Sequence, residues 1–143
     1  MAGKVECVVG QNEAVAQFVM SLVPECRRGW QTYTTIGFVL DGSLIGGTVY
    51  HDYEPDWGVI QMSSAATSPR WLTRETLRAI FGFPFNELNC RNVVMRVSSL
   101  NTRMCSIAER FGFSKFSLPD LRAEGEDDVI YLLSRKAWEE GKF

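Results

Sequence analysis

The sequence predicts an α/β domain of three layers, with a mixed, mostly antiparallel sheet flanked by helices. Short runs that alternate apolar and polar residues recur between turn signals, as half-buried strands do. Stretches with apolar residues at helical spacing interrupt them. The 143 residues, 45% hydrophobic and 22% charged, suffice for one sizeable core and leave no room for a second. Residues 1–143 are therefore expected to form one domain.

From the start of the chain, residues 4–9 read as a short strand. Asn12–Leu22 is helical, with Val15, Phe18, Val19 and Leu22 on one face and Pro24 just beyond its end. Residues 24–31 form an irregular connection. Tyr33–Leu40, residues 43–53 and residues 58–66 then make an antiparallel meander. Asp41-Gly42 is a tight-turn signal for its first hairpin, and Glu54-Pro55-Asp56 closes the second. Residues 73–82 are helical, and Pro84 is expected to end or kink that helix.

Residues 91–97 alternate and are rich in Val, as a half-buried strand should be. Ser98, Ser99 and Thr102 offer capping oxygens for the helix that follows. Met104, Ile107, Ala108 and Phe111 fall at i, i+3, i+4 and i+7 and make its apolar stripe. Gly112 stands where a left-handed C-terminal residue is wanted. Residues 113–117 and 129–134 complete the pattern as a last hairpin with a long, acidic, mobile connection. The order β-α-β-β-β-α-β-α-β-β gives the layered fold, with no internal repeat, low-complexity segment or linker.

Composition excludes several functional classes. No apolar run approaches membrane-spanning length, and the N-terminus has no apolar signal-like core. Cys7, Cys26, Cys90 and Cys105 are widely spaced, which favours reduced thiols and a cytoplasmic location over a disulfide framework. One histidine and scattered cysteines argue against a protein metal site. Residues 70–110 hold seven arginines against three acids, a net of +4, which leaves −6 for the rest of a chain whose total is −2. Such separation suggests a basic region facing an anionic ligand, or solvated helix faces. A nucleic-acid module fits poorly, because the arginines lack interleaved aromatics and the total charge is negative.

Residues 91–113, RNVVMRVSSLNTRMCSIAERFGF, place Asn101 at a strand-to-helix turn, twelve residues before Phe113 of Gly-Phe. This resembles the N…GF signature of the GNAT acyl-CoA N-acyltransferase superfamily, and the likeness runs roughly from residue 34 to residue 138. The run from Asp127 to Arg135, followed by Trp138, looks like the terminal strand of the ribosomal-protein-acetylating branch. Residues 70–74, leading into Phe83-Pro84-Phe85, are similar to short phage-encoded GNAT-like proteins. The resemblance implies a GNAT-like fold, acetyl-CoA as cosubstrate, and acetyl transfer to an amine such as a protein N-terminus or lysine. The alternative is a non-catalytic GNAT-fold interaction or structural protein. The oligomeric state stays open.

The resemblance also assigns places. Orphan amides and the helix dipole at a helix N-terminus hold an anion, and the family binds the CoA pyrophosphate on such a loop, usually rich in glycine. Here the place is taken by residues 68–75, and no glycine occurs between Gly58 and Gly82. Arg70, Trp71, Leu72, Thr73 and Arg74 are the implied contacts, with Thr73 as cap and the arginines supplying charge. Trp71 would pack on the cofactor or anchor the loop from beneath. Ser64, Ala65 and Ala66 are small enough for a strand edge that admits the pantetheine arm. Asn101 resembles the position that steadies this arm, and Arg103 lies within reach of a phosphate or the adenine.

The family's two usual proton donors are missing. A Tyr seven residues after the Asn is replaced by Ala108, and a Ser three residues after it by Met104. Cys105 and Ser106 match neither position. Catalytic residues therefore remain unassigned, with Tyr131, Ser63 and His51 as candidates and Tyr50 and Tyr33 as further hydroxyls. His51-Asp52 sits near a hairpin, as a base or as a solvated surface pair. The acidic segment 120–128 would attract a cationic acceptor or serve as a soluble loop.

Overall fold

A computed structural model describes residues 3–141. Its strands are β1 (Glu6–Val9), β2 (Tyr33–Leu40), β3 (Ser43–Glu54), β4 (Val59–Ala66), β5 (Asn92–Ser98), β6 (Ser114–Ala123) and β7 (Glu126–Ser134). They form one sheet in the order β1-β2-β3-β4-β5-β7-β6. All neighbours are antiparallel except β4 and β5. Helices α1 (Asn12–Leu22), α2 (Arg74–Gly82), α3 (Thr102–Arg110) and α4 (Arg135–Glu140) cover the sheet.

Local chemistry sets most of these elements. The β2–β3 turn has Asp41 at φ 50° and Gly42 at φ 82°, the left-handed pair that a two-residue hairpin of this twist requires. Thr73 caps α2 by a reciprocal pair of bonds. Its hydroxyl accepts from the Thr76 amide at 3.1 Å, and its own amide donates to the Thr76 hydroxyl at 2.7 Å. Asn101 Oδ1 accepts from the Met104 amide at 3.2 Å and so starts α3. The α3 stripe faces inward, with Ala108 fully buried.

Two apolar clusters lie on opposite faces of the sheet. The smaller one joins Val19 of α1 to Val49 and Ala65, with Trp30 and Tyr33 packed against it. A Cβ on Gly47 would stand 2.5 Å from Val15, so the glycine lets α1 approach β3 closely. The larger cluster joins α2 and α3 to Phe38, Tyr50, Val93 and Tyr131.

One sequence expectation is met and one is corrected. The α-helical stretch ends at Gly82, just before Pro84, as expected. The backbone widens into a π-type turn over Phe83–Glu87, where the Leu88 amide donates to the Phe83 carbonyl at 3.0 Å. A wider turn relieves the contact that the proline ring would make with the preceding turn. The expected long, acidic, mobile connection after residue 117 is instead hairpin. β6 and β7 run on to Ala123 and Glu126 and turn at Gly125, with φ 79°. The acids act as internal acceptors: Asp127 Oδ1 takes the Asp120 amide at 3.0 Å, and Asp120 Oδ1 takes the Gly125 amide at 2.8 Å. The register shifts between Leu118 and Ala123, which accommodates left-handed Asp120 at φ 53°. Among the described residues, no helix is long and apolar enough to cross a membrane.

Candidate active site

The parallel contact between β4 and β5 is short. Only Val59 with Asn92, Ile60 with Val93 and Gln61 with Val94 are paired. Beyond them the strands diverge, although β4 continues to Ala66 and β5 to Ser98. The far half of β4 stays paired with β3, from Met62 with Tyr50 to Ala66 with Gly46. Its other edge therefore faces an opening in the middle of the sheet. Ser63, Ser64, Met95, Arg96, Asn101 and Cys26 are among the residues that line the narrow cavity there. An extended ligand with alternating amide donors and acceptors can pair with such an edge.

On the α2–α3 face this opening meets a groove of about 330 Å³. Ser68, Leu72 and Trp71 from the β4–α2 connection form one wall, and Arg103, Ile107 and Arg110 of α3 the other. A 3-10 turn, Pro69–Trp71, opens the glycine-free segment 68–75, and the Ser68 hydroxyl accepts the Arg70 amide at 3.2 Å. Trp71 is the anchor of this turn, 5% exposed and packed against Phe38 at 5.6 Å between ring centroids. A Cβ on Gly46 would stand 3.0 Å from its Cβ, which makes Gly46 the space the anchor occupies. Arg70, Arg74, Arg103 and Arg110 are exposed, and none has a carboxylate partner among the described residues. Glu75, in the first turn of α2, pairs with Lys4 at 3.0 Å. Positive charge without a carboxylate partner among the described residues thus flanks the groove.

The α1 face differs. β3 carries His51 beside Asp52, whose left-handed φ of 53° marks the register shift before Glu54. His51 is 9% exposed, so the expectation of a solvated pair holds for Asp52 alone. Trp30 from the connection after α1 stacks on the imidazole at 5.4 Å and shields it. Asp52 Oδ2 lies 2.5 Å from Nδ1, and the Ser63 hydroxyl lies 2.9 Å from Nε2. Burial lowers the imidazole pKa more than the Asp52 hydrogen bond and charge raise it. Ser63 also meets the thiol of Cys26, whose pKa is raised by burial against the opposing effect of that hydroxyl. Cys26 therefore stays a thiol at neutral pH, a poor nucleophile.

A charge network closes the same end. Asp128 is fully buried, with Oδ2 accepting from Arg96 Nε at 3.0 Å and Oδ1 from Arg122 Nε at 3.0 Å. Arg122 Nη1 reaches Glu25 at 3.1 Å, tying the β6–β7 hairpin to the turn that carries Cys26. Burial pushes the Asp128 carboxyl up, but the hydrogen bonds and charges of Arg96 and Arg122 together hold it below the usual carboxylate range.

The sequence candidates divide accordingly. Ser64, Ala66, Leu72, Asn101 and Arg103 line the opening or its groove, and Arg70, Thr73 and Arg74 stand on the adjoining segment. Ala65 turns its side chain to the α1 cluster. Tyr131 lies elsewhere: it is fully buried, donates to Glu109 Oε2 at 2.9 Å, and has its pKa pushed far up, by burial first. Tyr50 is likewise buried, with its hydroxyl on the Ile80 carbonyl at 2.5 Å. Cys26 and Trp30 were not singled out for a site, because nothing local distinguishes a cysteine or tryptophan in an irregular connection, and Asp128 was read only as part of an acidic segment and a terminal strand.

No protein-family model and no curated protein sequence matches the chain. Solved structures do match its fold. A candidate acetyltransferase from T. thermophilus is 18% identical with a TM-score of 0.66, covering 81% of this chain and 66% of that one. The chain thus spans about two thirds of that protein's length. A candidate acetyltransferase of the GNAT family from Desulfovibrio desulfuricans is 16% identical, with a TM-score of 0.65 over 91% and 98% of the two chains. A mutant of SpeG, a spermidine N-acetyltransferase from Vibrio cholerae, is 9% identical, with a TM-score of 0.74 over 96% and 97%. The chain has the fold of GNAT acetyltransferases.

Proposed function

We propose that this protein is an acetyl-CoA-dependent N-acetyltransferase whose acceptor is an amine, of a protein N-terminus or a lysine. The observation that carries this reading is the opening between β4 and β5, which joins an unpaired strand edge to a groove flanked by arginines. The edge suits the amide-containing pantetheine arm, and Arg70, Arg74, Arg103 and Arg110 suit the phosphates. The cap of α2 adds its dipole. The thioester supplies the activated acyl group. The chain positions thioester and amine, and with Ala108 buried and Met104 apolar it brings no side-chain acid from the family's usual places.

Acetyl-CoA is expected to bind in the micromolar range and to raise the melting temperature with ligand concentration by mass action. Titration calorimetry and thermal melts measure both, and release of free CoA thiol against a panel of amines measures transfer. No heat and no thermal shift at millimolar acetyl-CoA would overturn the reading. Tight binding without transfer to any amine would favour a non-catalytic GNAT-fold protein.

A further inference from the structure

We propose that Ser63, His51 and Asp52 form a proton relay that deprotonates the acceptor amine in the opening between β4 and β5, an inference that rests on the transferase reading above. Ser63 faces the opening, and its hydroxyl is 2.9 Å from His51 Nε2. Asp52 at 2.5 Å from Nδ1 fixes the tautomer with the proton on Nδ1, so that Nε2 accepts from Ser63. The other side of His51 meets a hollow of about 750 Å³ lined by Trp30, Tyr33, Tyr53 and Phe83. A proton collected in the opening thus has an exit along the α1 face to the hollow. Ser63 is the catalytic residue; His51 and Asp52 act through it.

The step balances. An ammonium acceptor gives one proton to the Ser63 oxygen as the Ser63 proton moves to His51 Nε2, leaving a neutral amine and an imidazolium. The amine lone pair attacks the thioester carbonyl carbon; the C–N bond forms and the C–S bond breaks. The second nitrogen proton ends on the CoA sulfur, and His51 releases the first to the hollow. Burial suits this role, because an imidazole that is neutral at pH 7 is ready to accept. The groups facing the relay are Asp52 and Tyr53 from β3, Tyr33 from β2, Arg96 from β5, and Cys26 with Glu25 from the turn after α1; Arg96 is paired with Asp128 of β7 and Glu25 with Arg122 of β6.

His51 is the chain's sole histidine, so its imidazole gives one assignable nuclear magnetic resonance signal. At pH 7 that signal should report a neutral ring protonated on Nδ1, and Asp52→Asn should lower its pKa further. Turnover is compared for two acceptors, an alkyl amine that is an ammonium at pH 7 and an aryl amine that is already neutral. His51→Gln and Ser63→Ala should lower kcat/KM for the alkyl amine by about 10²-fold or more, and for the aryl amine by less than about threefold. Ser63→Ala replaces a small partly exposed side chain and keeps the fold. The ascending limb of the alkyl-amine pH profile should follow the imidazole titration and move with it in Asp52→Asn. Equal losses for both amines, an imidazolium at pH 7, or an acetyl group found on Ser63 by mass spectrometry would overturn the relay alone. Absence of acetyl-CoA binding by the wild type would overturn the transferase reading and the relay with it.

Discussion

The two flanks of β4 handle charge in opposite ways. Toward α2 and α3, arginines stand in water with no carboxylate partner among the described residues, around an open groove. Toward α1, an imidazole and a thiol are withdrawn from water under Trp30 and beside Ser63. An exposed guanidinium needs no tuning: it is always charged, and it attracts an anion over roughly a Debye length, about 8–10 Å. A titratable group that must change its proton inside a reaction gains from burial, which sets its pKa. The comparison teaches that one strand can separate ligand capture from proton handling because its successive side chains point to opposite faces.

The largest expected effect breaks the exposed flank. Arg103→Ala and Arg70→Ala should each weaken CoA binding by about 1.5–3 kcal/mol, and leave pantetheine without phosphates unaffected. Calorimetric titration of both ligands makes the test. Equal losses for the two ligands would mean that these arginines support the fold rather than the phosphates.

The next effect breaks the buried flank. Asp128→Asn should destabilise the protein by about 1–3 kcal/mol, since it leaves Arg96 and Arg122 facing a neutral partner. The pH dependence has a definite sign. With its folded pKa below the ordinary value near 4, Asp128 adds stability that is fully present above that value and is lost as pH falls through the folded one. Urea denaturation between about pH 7 and pH 2 should show the wild type losing this margin and Asp128→Asn losing less. Parallel curves for the two proteins would remove Asp128 from the account.

The smallest effect sharpens the comparison. Glu75 stands in the first turn of α2, next to the segment that carries Arg70 and Arg74, and its exposed ion pair is with Lys4 rather than with an arginine. Glu75→Gln should tighten CoA binding by less than about 1 kcal/mol, read by the same titration at low salt. Weaker binding would show that the carboxylate orders the loop.

Much of the fold was legible because near neighbours decide it. Asp41-Gly42, the Met104–Phe111 stripe and the Thr73 cap each act within a few residues, where φ preferences and the 3.6-residue period fix the outcome. The groove residues were legible in part: Asn101 and Arg103 fell at recognisable spacing before Gly112-Phe113. Residues 118–128 misled, since acids that suggest a solvated loop were instead acceptors for amides across the hairpin. The acidic composition was visible, but the left-handed Asp120 that lets the strands continue was not.

By itself, then, the sequence determined the layered architecture, the turn positions and the basic segment, because each follows from local propensity or from counting charge. The tertiary structure alone decided that β4 and β5 part after three pairs, and that His51 turns inward onto Ser63. It also decided that Cys26 reaches the opening and that Asp128 gathers two arginines. Apart from Arg122 with Asp128, six positions apart, those contacts join residues twelve to more than thirty positions apart, and their geometry depends on strand divergence and burial. Only the packed chain sets these, since no short window of residues carries the dielectric or the distance on which the chemistry depends.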